Sequence, residues 1–352
     1  MSDPGAQAAG EGVPFAGRGT RVLGMADVRR LLSMEDTIGI QRDAFTAMAR
    51  GETAAAPNAW LRLPPERGGW LKLLAGYDGA AGGLGVKVLA RFPHNPPGAN
   101  LGSLIVLFDA DDGFPRAIMD GVYITALRTG AGAGLATAAL ARPESQCMGL
   151  VGSGVVAWHS LQAIRLTCPA LTSVRVHSRS ERRRLELVAR IERELGLAAE
   201  PASTAAKAVA GADVVISATN APEPVLDAAD LEPGQHLNAM GIKTELTPAA
   251  VAACRVIGDG REETLGDGKF SVALAAGAVT PDDLGPDLGA VLAGMAPGRT
   301  DAEQITMFDS SGVALQDVAC ARAVWERAER EDAGVIVDIA GGDVLAGAEA
   351  AR

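Results

Sequence analysis

The sequence predicts an α/β protein in which a doubly wound parallel sheet is joined to a smaller α+β unit. Its 352 residues are enough for about two domains of roughly 100–200 residues each. Aromatic residues make up only 4% of the chain, whereas it contains 43 glycines, and this composition favours close packing of helices on sheets. After Pro143, short apolar runs alternate with helical segments, which is typical of a parallel sheet buried on both faces.

The first part of the chain has the pattern of the α+β unit. A helical pattern extends from Met25 through Met48, and a helix of small residues from Thr125 to Leu140 ends before Pro143, because proline cannot continue it. Short apolar runs separated by glycine and proline predict strands between these helices. These runs are Trp70 to Leu74, Leu84 to Ala90 and Leu101 to Phe108.

The second part predicts alternating strands and helices. The expected strands are Cys147 to Val151, Ser173 to Ser178, Val214 to Ala218, His236 to Met240, Val256 to Asp259 and Ile305 to Ser310. From Gly312 the pattern is helical through Arg330, and residues 335–340 with the tail are expected to pack back on the first unit. The result is a doubly wound fold.

Charge and segment composition exclude several classes of partner. The chain has 43 acidic against 32 basic residues and a formal charge of -11, which disfavours nucleic acid and anionic membranes. Residues 1–20 lack the basic and apolar regions of a secretory signal and are expected to be a disordered extension. No apolar run reaches the roughly 18 residues of a membrane span, so a soluble cytoplasmic protein is expected. Four scattered cysteines indicate reduced thiols and no metal site.

A glycine-rich turn is the strongest local motif. Gly152, Ser153, Gly154, Val155 and Val156 follow a predicted strand and open a predicted helix. Such a turn presents backbone N–H groups and the positive end of a helix to a pyrophosphate, and a side chain at the glycines would block the approach. In this strand-turn-helix context the motif predicts a dinucleotide site, and therefore a Rossmann domain.

The residues after the second predicted strand favour NADP(H), with NAD(H) possible. Enzymes that use NAD commonly place a carboxylate there to bind the ribose 2′-OH, but this chain has Ser178, Arg179 and Ser180, followed by three more arginines. A guanidinium with two hydroxyls suits a 2′-phosphate. Alternatively, the arginines form a solvated helix face. Other strand ends, at Thr219, Met240 and Ser310, are expected to line the same crevice.

Two cations lie in otherwise apolar segments of the first unit. Lys87 falls within the run GVKVL, and Arg128 within TALRTGA. A buried cation is costly unless an anion compensates it, so each could bind a substrate carboxylate or form an internal salt bridge. The residues alone leave these two alternatives open.

Five segments resemble the ornithine cyclodeaminase and mu-crystallin family, in the family's order, over residues 25–330. They are GVKVLARFPHNPP (85–97), LFDADDGFPRAIMDGVYITALRTGAGAG (107–134), GLVGSGVVAWHS (149–160), ADVVISATN (212–220) and TMFDSSGVALQD (306–317). Members of the family act on carbon–nitrogen bonds with a nicotinamide cofactor and are typically dimers. The resemblance implies a homodimer. Each chain is expected to consist of a disordered extension (1–20), a substrate-binding and dimerisation domain (21–142 with 313–352) and a Rossmann domain (143–312).

The resemblance also implies roles for individual residues. Lys87 and Arg128 hold the substrate carboxylate, and Lys87 lies close to the reacting amine or imine. The glycine-rich turn carries the pyrophosphate, and residues 178–180 meet the adenosine ribose. Thr219, Lys243 and Ser310 contact the nicotinamide half of the cofactor.

Two departures from the family pattern bear on the reaction. The cyclodeaminases carry an Asp in a loop resembling GxDxxGKTEL, where it can accept a proton from the substrate amine. Here residues 237–246 read LNAMGIKTEL, so Ala239 occupies the position or the loop is one residue shorter. An early arginine that clamps the carboxylate is also missing at residues 58–59, and Arg62 is the nearest substitute.

These departures favour an imine reductase or amino-acid dehydrogenase that acts on a small amino or imino carboxylate, because such a reaction has fewer proton transfers than cyclodeamination. Two alternatives stay open. One is an ornithine or lysine cyclodeaminase that recycles a bound NAD and uses another carboxylate as its base; the candidates are Asp309, Asp259, Glu262 and Glu263. The other is a protein that binds NADPH or a ligand without turnover.

Overall fold

The protein forms two eight-stranded sheets, which confirms the predicted α/β class. The coordinates are a computed structural model, and they describe residues 18–96 and 98–339. The first 17 residues of the predicted extension and the end of the tail lie outside this range, whereas Thr20 already begins the first strand. No helix in the described ranges has the length and apolarity needed to cross a membrane.

The first sheet has the order β16-β1-β7-β6-β5-β4-β2, and β3 pairs with β4. Its neighbours are antiparallel except for the parallel pair β1 and β7. The strands are β1 (Thr20–Leu23), β2 (Thr53–Ala55), β3 (Ala59–Arg62), β4 (Trp70–Asp78), β5 (Gly83–Arg91), β6 (Leu101–Phe108), β7 (Pro115–Asp120) and β16 (Val335–Val337). The helices associated with it are α1 (Met25–Leu31), α2 (Met34–Ala49), α3 (Gly121–Leu140) and α11 (Ala314–Glu331).

The two faces of this first sheet differ in cover. Helices α11 and α3 pack on one face, where Gly76 and Gly83 bring the strands close to Ala314 and Val318 of α11. The opposite face is apolar and open within the described chain. Leu61 and Leu104 are 57% and 54% exposed there. Leu71, Leu73, Val86 and Val88 are half-buried and alternate with the covered residues of β4 and β5.

All neighbouring strands of the second sheet are parallel, in the order β10-β9-β8-β11-β12-β15-β13-β14. The strands are β8 (Cys147–Val151), β9 (Ser173–His177), β10 (Ala198–Pro201), β11 (Val214–Ser217), β12 (His236–Ala239), β13 (Arg255–Gly258), β14 (Leu284–Asp287) and β15 (Thr306–Asp309). The helices are α4 (Val155–Thr167), α5 (Glu181–Leu195), α6 (Ala205–Val209), α7 (Pro248–Ala252), α8 (Arg261–Asp267), α9 (Lys269–Ala275) and α10 (Leu288–Leu292). The strand order reverses at β8, as in a doubly wound fold.

Helices α3 and α4 connect the two halves through a close contact. A Cβ atom on Gly130 of α3 would lie 2.5 Å from the carbonyl of His159 on α4, and one on Gly134 would lie 2.9 Å from the Cβ of Ala163. The Thr167 hydroxyl also donates to the Gly134 carbonyl at 2.9 Å. The small residues of α3 therefore let two helix backbones approach closely.

The six strands predicted in the second half match observed strands within one residue at each end. Two further strands, β10 and β14, have polar or proline-containing sequences, AAEP and LGPD, that do not predict a buried strand. The helix predicted from Met25 through Met48 is wrong as a single element. It divides at Ser33, whose side chain accepts from the Asp36 N–H and starts α2 with a capping box.

The tail returns to the first sheet as β16, which pairs with β1. The limits drawn between domains at residues 142 and 312 stay a prediction. The cofactor-side helix α4 packs on α3 of the other half, so the contacts do not fall into two separate sets.

Candidate active site

The carboxyl ends of the parallel strands meet at one edge of the second sheet. Gly152 follows β8, Ser178 follows β9, Thr219 comes shortly after β11, Met240 follows β12 and Ser310 follows β15. Ligands of open α/β sheets bind at this edge, and here it faces the covered side of the first sheet. The fold thus brings most of the sequence-predicted cofactor residues to one edge of the second sheet.

The glycine-rich turn has the backbone that a pyrophosphate needs. Gly152 has φ +124°, and a Cβ there would lie 2.4 Å from the Ala218 carbonyl oxygen. Gly154 precedes α4 in extended conformation, and a Cβ there would meet nothing within 4 Å. The N-terminus of a 13-residue helix therefore opens onto free space, which fits the phosphates of a dinucleotide. Val155 is exposed beside this space, whereas the Val156 side chain packs into the core and leaves only its backbone for a ligand.

The turn after β9 contacts the glycine-rich turn through two serine hydroxyls. Ser178 Oγ lies 2.9 Å from Ser153 Oγ, and Ser180 caps α5 by accepting from the Arg183 N–H. Arg182 pairs with Glu186 Oε1 at 2.6 Å on the solvent side. Arg179 is exposed and makes no hydrogen bond or ion pair with another described residue. Its guanidinium is available at the expected position of the adenosine ribose.

A buried glutamate, Glu245, holds the loops expected around the nicotinamide. Its carboxylate accepts from the N–H groups of Gly241 at 2.6 Å and Thr219 at 3.0 Å, and from the hydroxyl of Ser217 at 2.8 Å. Burial raises its pKa from 4.5 to about 7, against the opposing effects of Lys269 and these hydrogen bonds. Sequence reasoning missed this residue. Met240 is also fixed, because its N–H donates to the Ser217 carbonyl at 2.7 Å and its side chain is buried.

The carboxylates weighed as substitute bases differ in access. Asp309 accepts from the Phe270 N–H at 2.9 Å and lies 3.6 Å from Lys269 Nζ, while burial raises its pKa. Asp259 accepts from the Ser311 hydroxyl and the Gly312 N–H. Both are fully buried, and neither lines the cleft between the sheets. Glu262 and Glu263 line an adjoining recess instead, together with Asp267.

Lys87 and Arg128 meet at a third residue, Asp317 of α11. Lys87 Nζ lies 2.5 Å from Asp317 Oδ2, and Arg128 Nε lies 3.2 Å from Asp317 Oδ1. The Arg128 guanidinium also donates to Gln316 Oε1 at 2.9 Å, and Lys87 donates to the Thr125 hydroxyl at 3.3 Å. The internal salt bridge expected as one alternative therefore exists. One carboxylate offsets only one of the two charges, so a net positive charge is left to attract an anion.

Lys87 has an unusual acidity for a lysine. Its side chain is 1% exposed, and burial followed by the repulsion of Arg128 lowers its pKa from 10.5 to about 7, although Asp317 opposes the shift. An ammonium with this pKa can give up and take back a proton near neutral pH.

The cleft that contains Lys87 and Arg128 has a volume of about 310 Å³. Three other sequence-predicted site residues also line it: Arg62, Lys243 and Ser310. Arg62 reaches the cleft from β3 with its guanidinium 4.9 Å from the centre of the Trp60 ring. Lys72 of β4, which sequence reasoning missed, also lines the cleft; it is 5% exposed and lies 3.1 Å from Asp267 Oδ2.

The described residues contain no cluster of side chains that could serve as metal ligands. Across residues 18–96 and 98–339, no three His, Cys, Asp or Glu side chains are placed to hold a metal ion.

Comparison with known proteins shows similarity over most of the chain. Alanine dehydrogenase of Archaeoglobus fulgidus is 32% identical over 322 residues, covering 90% of this chain and 97% of the relative. The structure of Thermococcus litoralis Δ1-pyrroline-2-carboxylate reductase with NADH and L-proline superposes with a TM-score of 0.86 at 27% identity, covering 90% of this chain and all of that one.

Iminosuccinate reductase of Paracoccus denitrificans, solved with NAD+, gives a TM-score of 0.83 at 31% identity and covers 92% of this chain and all of that one. The model of the ornithine cyclodeaminase/mu-crystallin family matches residues 18–332. The resemblance seen in five motifs is thus confirmed over nearly the whole described chain: the protein belongs to the ornithine cyclodeaminase/mu-crystallin family.

Proposed function

We propose that the protein is an NAD(P)-dependent oxidoreductase that acts on the carbon–nitrogen bond of a small amino or imino carboxylate. The observation that carries this proposal is the pair Lys87 and Arg128, which share the single carboxylate of Asp317 inside the cleft. Their excess positive charge supports a role in binding the substrate carboxylate. Relatives named as alanine dehydrogenase, pyrroline-2-carboxylate reductase and iminosuccinate reductase support the same class of reaction.

The chain's own residues supply binding and proton transfer. When bound, a nicotinamide cofactor supplies or accepts the hydride. Arg128 orients the substrate carboxylate, and its own position is fixed by Gln316 and Asp317. Lys87 donates to the same carboxylate and, with its pKa about 7, exchanges a proton with the substrate nitrogen as that nitrogen passes between imine and amine. Glu245 keeps Thr219 and Gly241 in place beside the reacting atoms.

We propose NADP(H) as the preferred cofactor. The turn at residues 178–180 has no carboxylate, and Arg179 makes no pairing within the described chain that would keep it from a 2′-phosphate. Two relatives are named in complex with NADH or NAD+, so NAD(H) is the competitor in the test.

We also propose that the protein is a homodimer built through the open face of the first sheet. The apolar residues Leu61, Leu71, Leu73, Val88 and Leu104 lie on that face, and a sheet of this kind is rarely left exposed to water. A second copy of the same face would cover it. Sedimentation equilibrium checks this: a dimer is expected, and a Leu104→Glu variant should shift toward monomer.

One assay panel tests the function. Purified protein is mixed with NADPH or NADH and with Δ1-pyrroline-2-carboxylate, or with pyruvate or oxaloacetate plus ammonia to form the imines in place. Net oxidation of the cofactor with at least one imine is expected. Release of ammonia from ornithine with catalytic NAD and no net reduction would instead establish cyclodeamination. Quenched NADPH fluorescence without oxidation on any imine would establish a non-catalytic binder.

A further inference from the structure

We propose that the substrate carries a second carboxylate, distant from the reacting nitrogen, and that Lys72 and Arg62 bind it. The substrate class is then a short imino or amino dicarboxylate. The inference rests on the proposed function and deepens it, because the first carboxylate is assigned to Lys87 and Arg128.

The floor of the cleft is one face of strands β3, β4 and β5. In the first row, Lys87 pairs with Leu74. In the second row, two residues away along β4, Lys72 pairs with both Trp60 and Leu89. In the third row, two residues further, Trp70 pairs with Arg62 and Arg91. Side chains on alternate residues of paired strands point to the same side. The floor therefore has three successive rows, each of which carries at least one cation.

The distance between the rows suits a small molecule with two anionic ends. Lys72 is the diagonal neighbour of Lys87 across β4 and β5, a relationship that places the two residues roughly 7–8 Å apart. Both side chains line the same cleft of about 310 Å³. Two flexible ammonium groups at this spacing can reach the opposite ends of a four- or five-carbon dicarboxylate.

The charge of the cleft exceeds what one substrate carboxylate needs. Of the described residues that line it, seven are cations: Arg62, Lys72, Lys87, Arg91, Arg128, Lys243 and Lys269. Three carboxylates pair with members of this set: Asp267 with Lys72 and Lys243, Asp309 with Lys269, and Asp317 with Lys87 and Arg128. Glu262 and Glu263, which line the adjoining recess beside Arg62 and Lys243, offset two more, so an excess of two positive charges is left in a chain of net charge -11. The glycine-rich turn at residues 152–155 does not line this cleft, so binding of the pyrophosphate does not explain the excess positive charge of the cleft.

Lys72 and Arg62 are held together by an aromatic wall. Lys72 Nζ lies 4.7 Å and the Arg62 guanidinium 4.9 Å from the centre of the Trp60 ring, and Trp60 packs edge-on against Trp70 at 4.9 Å. Asp267 lies 3.1 Å from Lys72 but is also shared with Lys243 at 3.9 Å. One carboxylate therefore serves two lysines, and Arg62 adds a third charge with no acidic partner among the described residues. Arg62 and Lys72 therefore offer two neighbouring cationic groups to an anion in the cleft, while Glu262 and Glu263 line the recess beside them.

Steady-state kinetics provide the first test. The imine formed from oxaloacetate and ammonia has two carboxylates, whereas the imine from pyruvate and ammonia has one. We expect kcat/KM to be at least about 100-fold higher for the dicarboxylate, since a site built for a polar group rejects analogues that lack it. Lys72→Met should remove most of this difference by lowering kcat/KM for the dicarboxylate alone, and Lys72→Arg should restore part of it.

Binding without turnover provides the second test and separates the two proposals. Succinate and butyrate differ only in their second end group, and each is titrated calorimetrically into the protein saturated with NADP+. Succinate should bind at least about 10-fold more tightly, and Lys72→Met or Arg62→Met should abolish the difference. The exposed Lys207→Met on α6 is the matched control and should keep it.

Each outcome has a definite meaning. Equal binding of succinate and butyrate by the wild-type protein, or an unchanged preference in both variants, overturns the second carboxylate site. If Lys72→Met does not fold, the exposed Arg62→Met carries the test alone. Failure to oxidise NADPH or NADH with any imine overturns the proposed function, while the calorimetric preference still decides the site.

Discussion

Asp317 and Lys87 form a fully buried ion pair in which Oδ2 lies 2.5 Å from Nζ, and the same carboxylate reaches Arg128 through its other oxygen. The pair connects α11 to β5 of the cleft floor. Its effect on the pKa of Lys87 is opposite to that of burial: burial lowers this pKa, whereas the negative charge of Asp317 raises it by stabilising the ammonium form.

A pH profile follows from this relationship. With its pKa lowered to about 7, Lys87 loses its proton as the pH rises through neutrality, so kcat/KM for imine reduction should fall above about pH 7. Asp317→Asn removes the charge that opposes the shift and should move this limb about one unit or more toward lower pH. Initial rates from pH 5.5 to 9 measure the limb. A limb at the same pH in both proteins would show that another group titrates.

Lys87→Met should separate binding from turnover. We expect kcat to fall by at least about 100-fold, the usual contribution of a positioned acid or base, while the Kd for NADPH changes by less than about twofold. Stopped-flow reduction and fluorescence titration measure the two quantities. Unchanged turnover would refute the role assigned to Lys87, and Lys207→Met again serves as the control.

Gly154→Val should block the cofactor without harming the fold. A Cβ at this extended position meets nothing within 4 Å, so Tm is expected to stay within about 2 °C, but the valine side chain would enter the space assigned to the pyrophosphate. The Kd for NADPH should rise at least about 10-fold. Gly39→Ala, on the outside of α2 with equally free surroundings, is the control. Unaltered affinity in Gly154→Val would place the cofactor elsewhere.

Arg179→Gln tests the choice of cofactor. Loss of the guanidinium should raise the Kd for NADPH at least about 10-fold and leave the Kd for NADH within about twofold, because only the former carries the 2′-phosphate. Arg182→Gln, whose arginine pairs with Glu186 on the solvent side, should change neither. Tighter binding of NADH than NADPH by the wild-type protein would overturn the preference for NADP(H).

Glu245 should make the stability of the protein depend on pH. Burial raises its folded-state pKa to about 7, above the 4.5 of the unfolded chain, so the folded state binds the extra proton between these values. This contribution is fully present below about pH 4.5 and is lost as the pH rises through about 7.

Glu245→Gln removes the titration. Between pH 5 and 7.5 the free energy of unfolding of the wild-type protein should therefore fall relative to that of the variant, by on the order of 1–3 kcal/mol. Urea unfolding at the two pH values measures it, and parallel changes in both proteins would contradict the assignment.

Much of the fold followed from local patterns because the second sheet is buried on both faces. Runs such as CMGLV and VVIS had to be apolar throughout and short, so their limits were visible in the sequence. The edge strands β10 and β14 lack that constraint. The open face of the first sheet was not visible either, because its apolar residues form a continuous surface only when four strands lie side by side.

The candidate site was predictable where a charge interrupts an apolar run. This signal identified Lys87 and Arg128, and it was equally present at Lys72 in WLKLLA and at Asp317 in ALQDVACA. Those two were missed as site residues because their partners are distant in sequence: Asp317 is 230 residues from Lys87, and Asp267 is 195 from Lys72. Glu245 lies in a polar loop, where nothing local marks a buried carboxylate.

The glycine contact between α3 and α4 fixes the distance between Arg128 and the glycine-rich turn. Helix α3 carries Arg128, and α4 begins at the glycine-rich turn, so the distance from the proposed substrate anchor to the proposed cofactor anchor is set by two helices that touch at Gly130 and Gly134. Side chains on β3 and β4 do not enter into that distance. Under the proposed roles, exchanging Lys72 or Arg62 changes which molecule is accepted and leaves the distance between the two anchors unchanged.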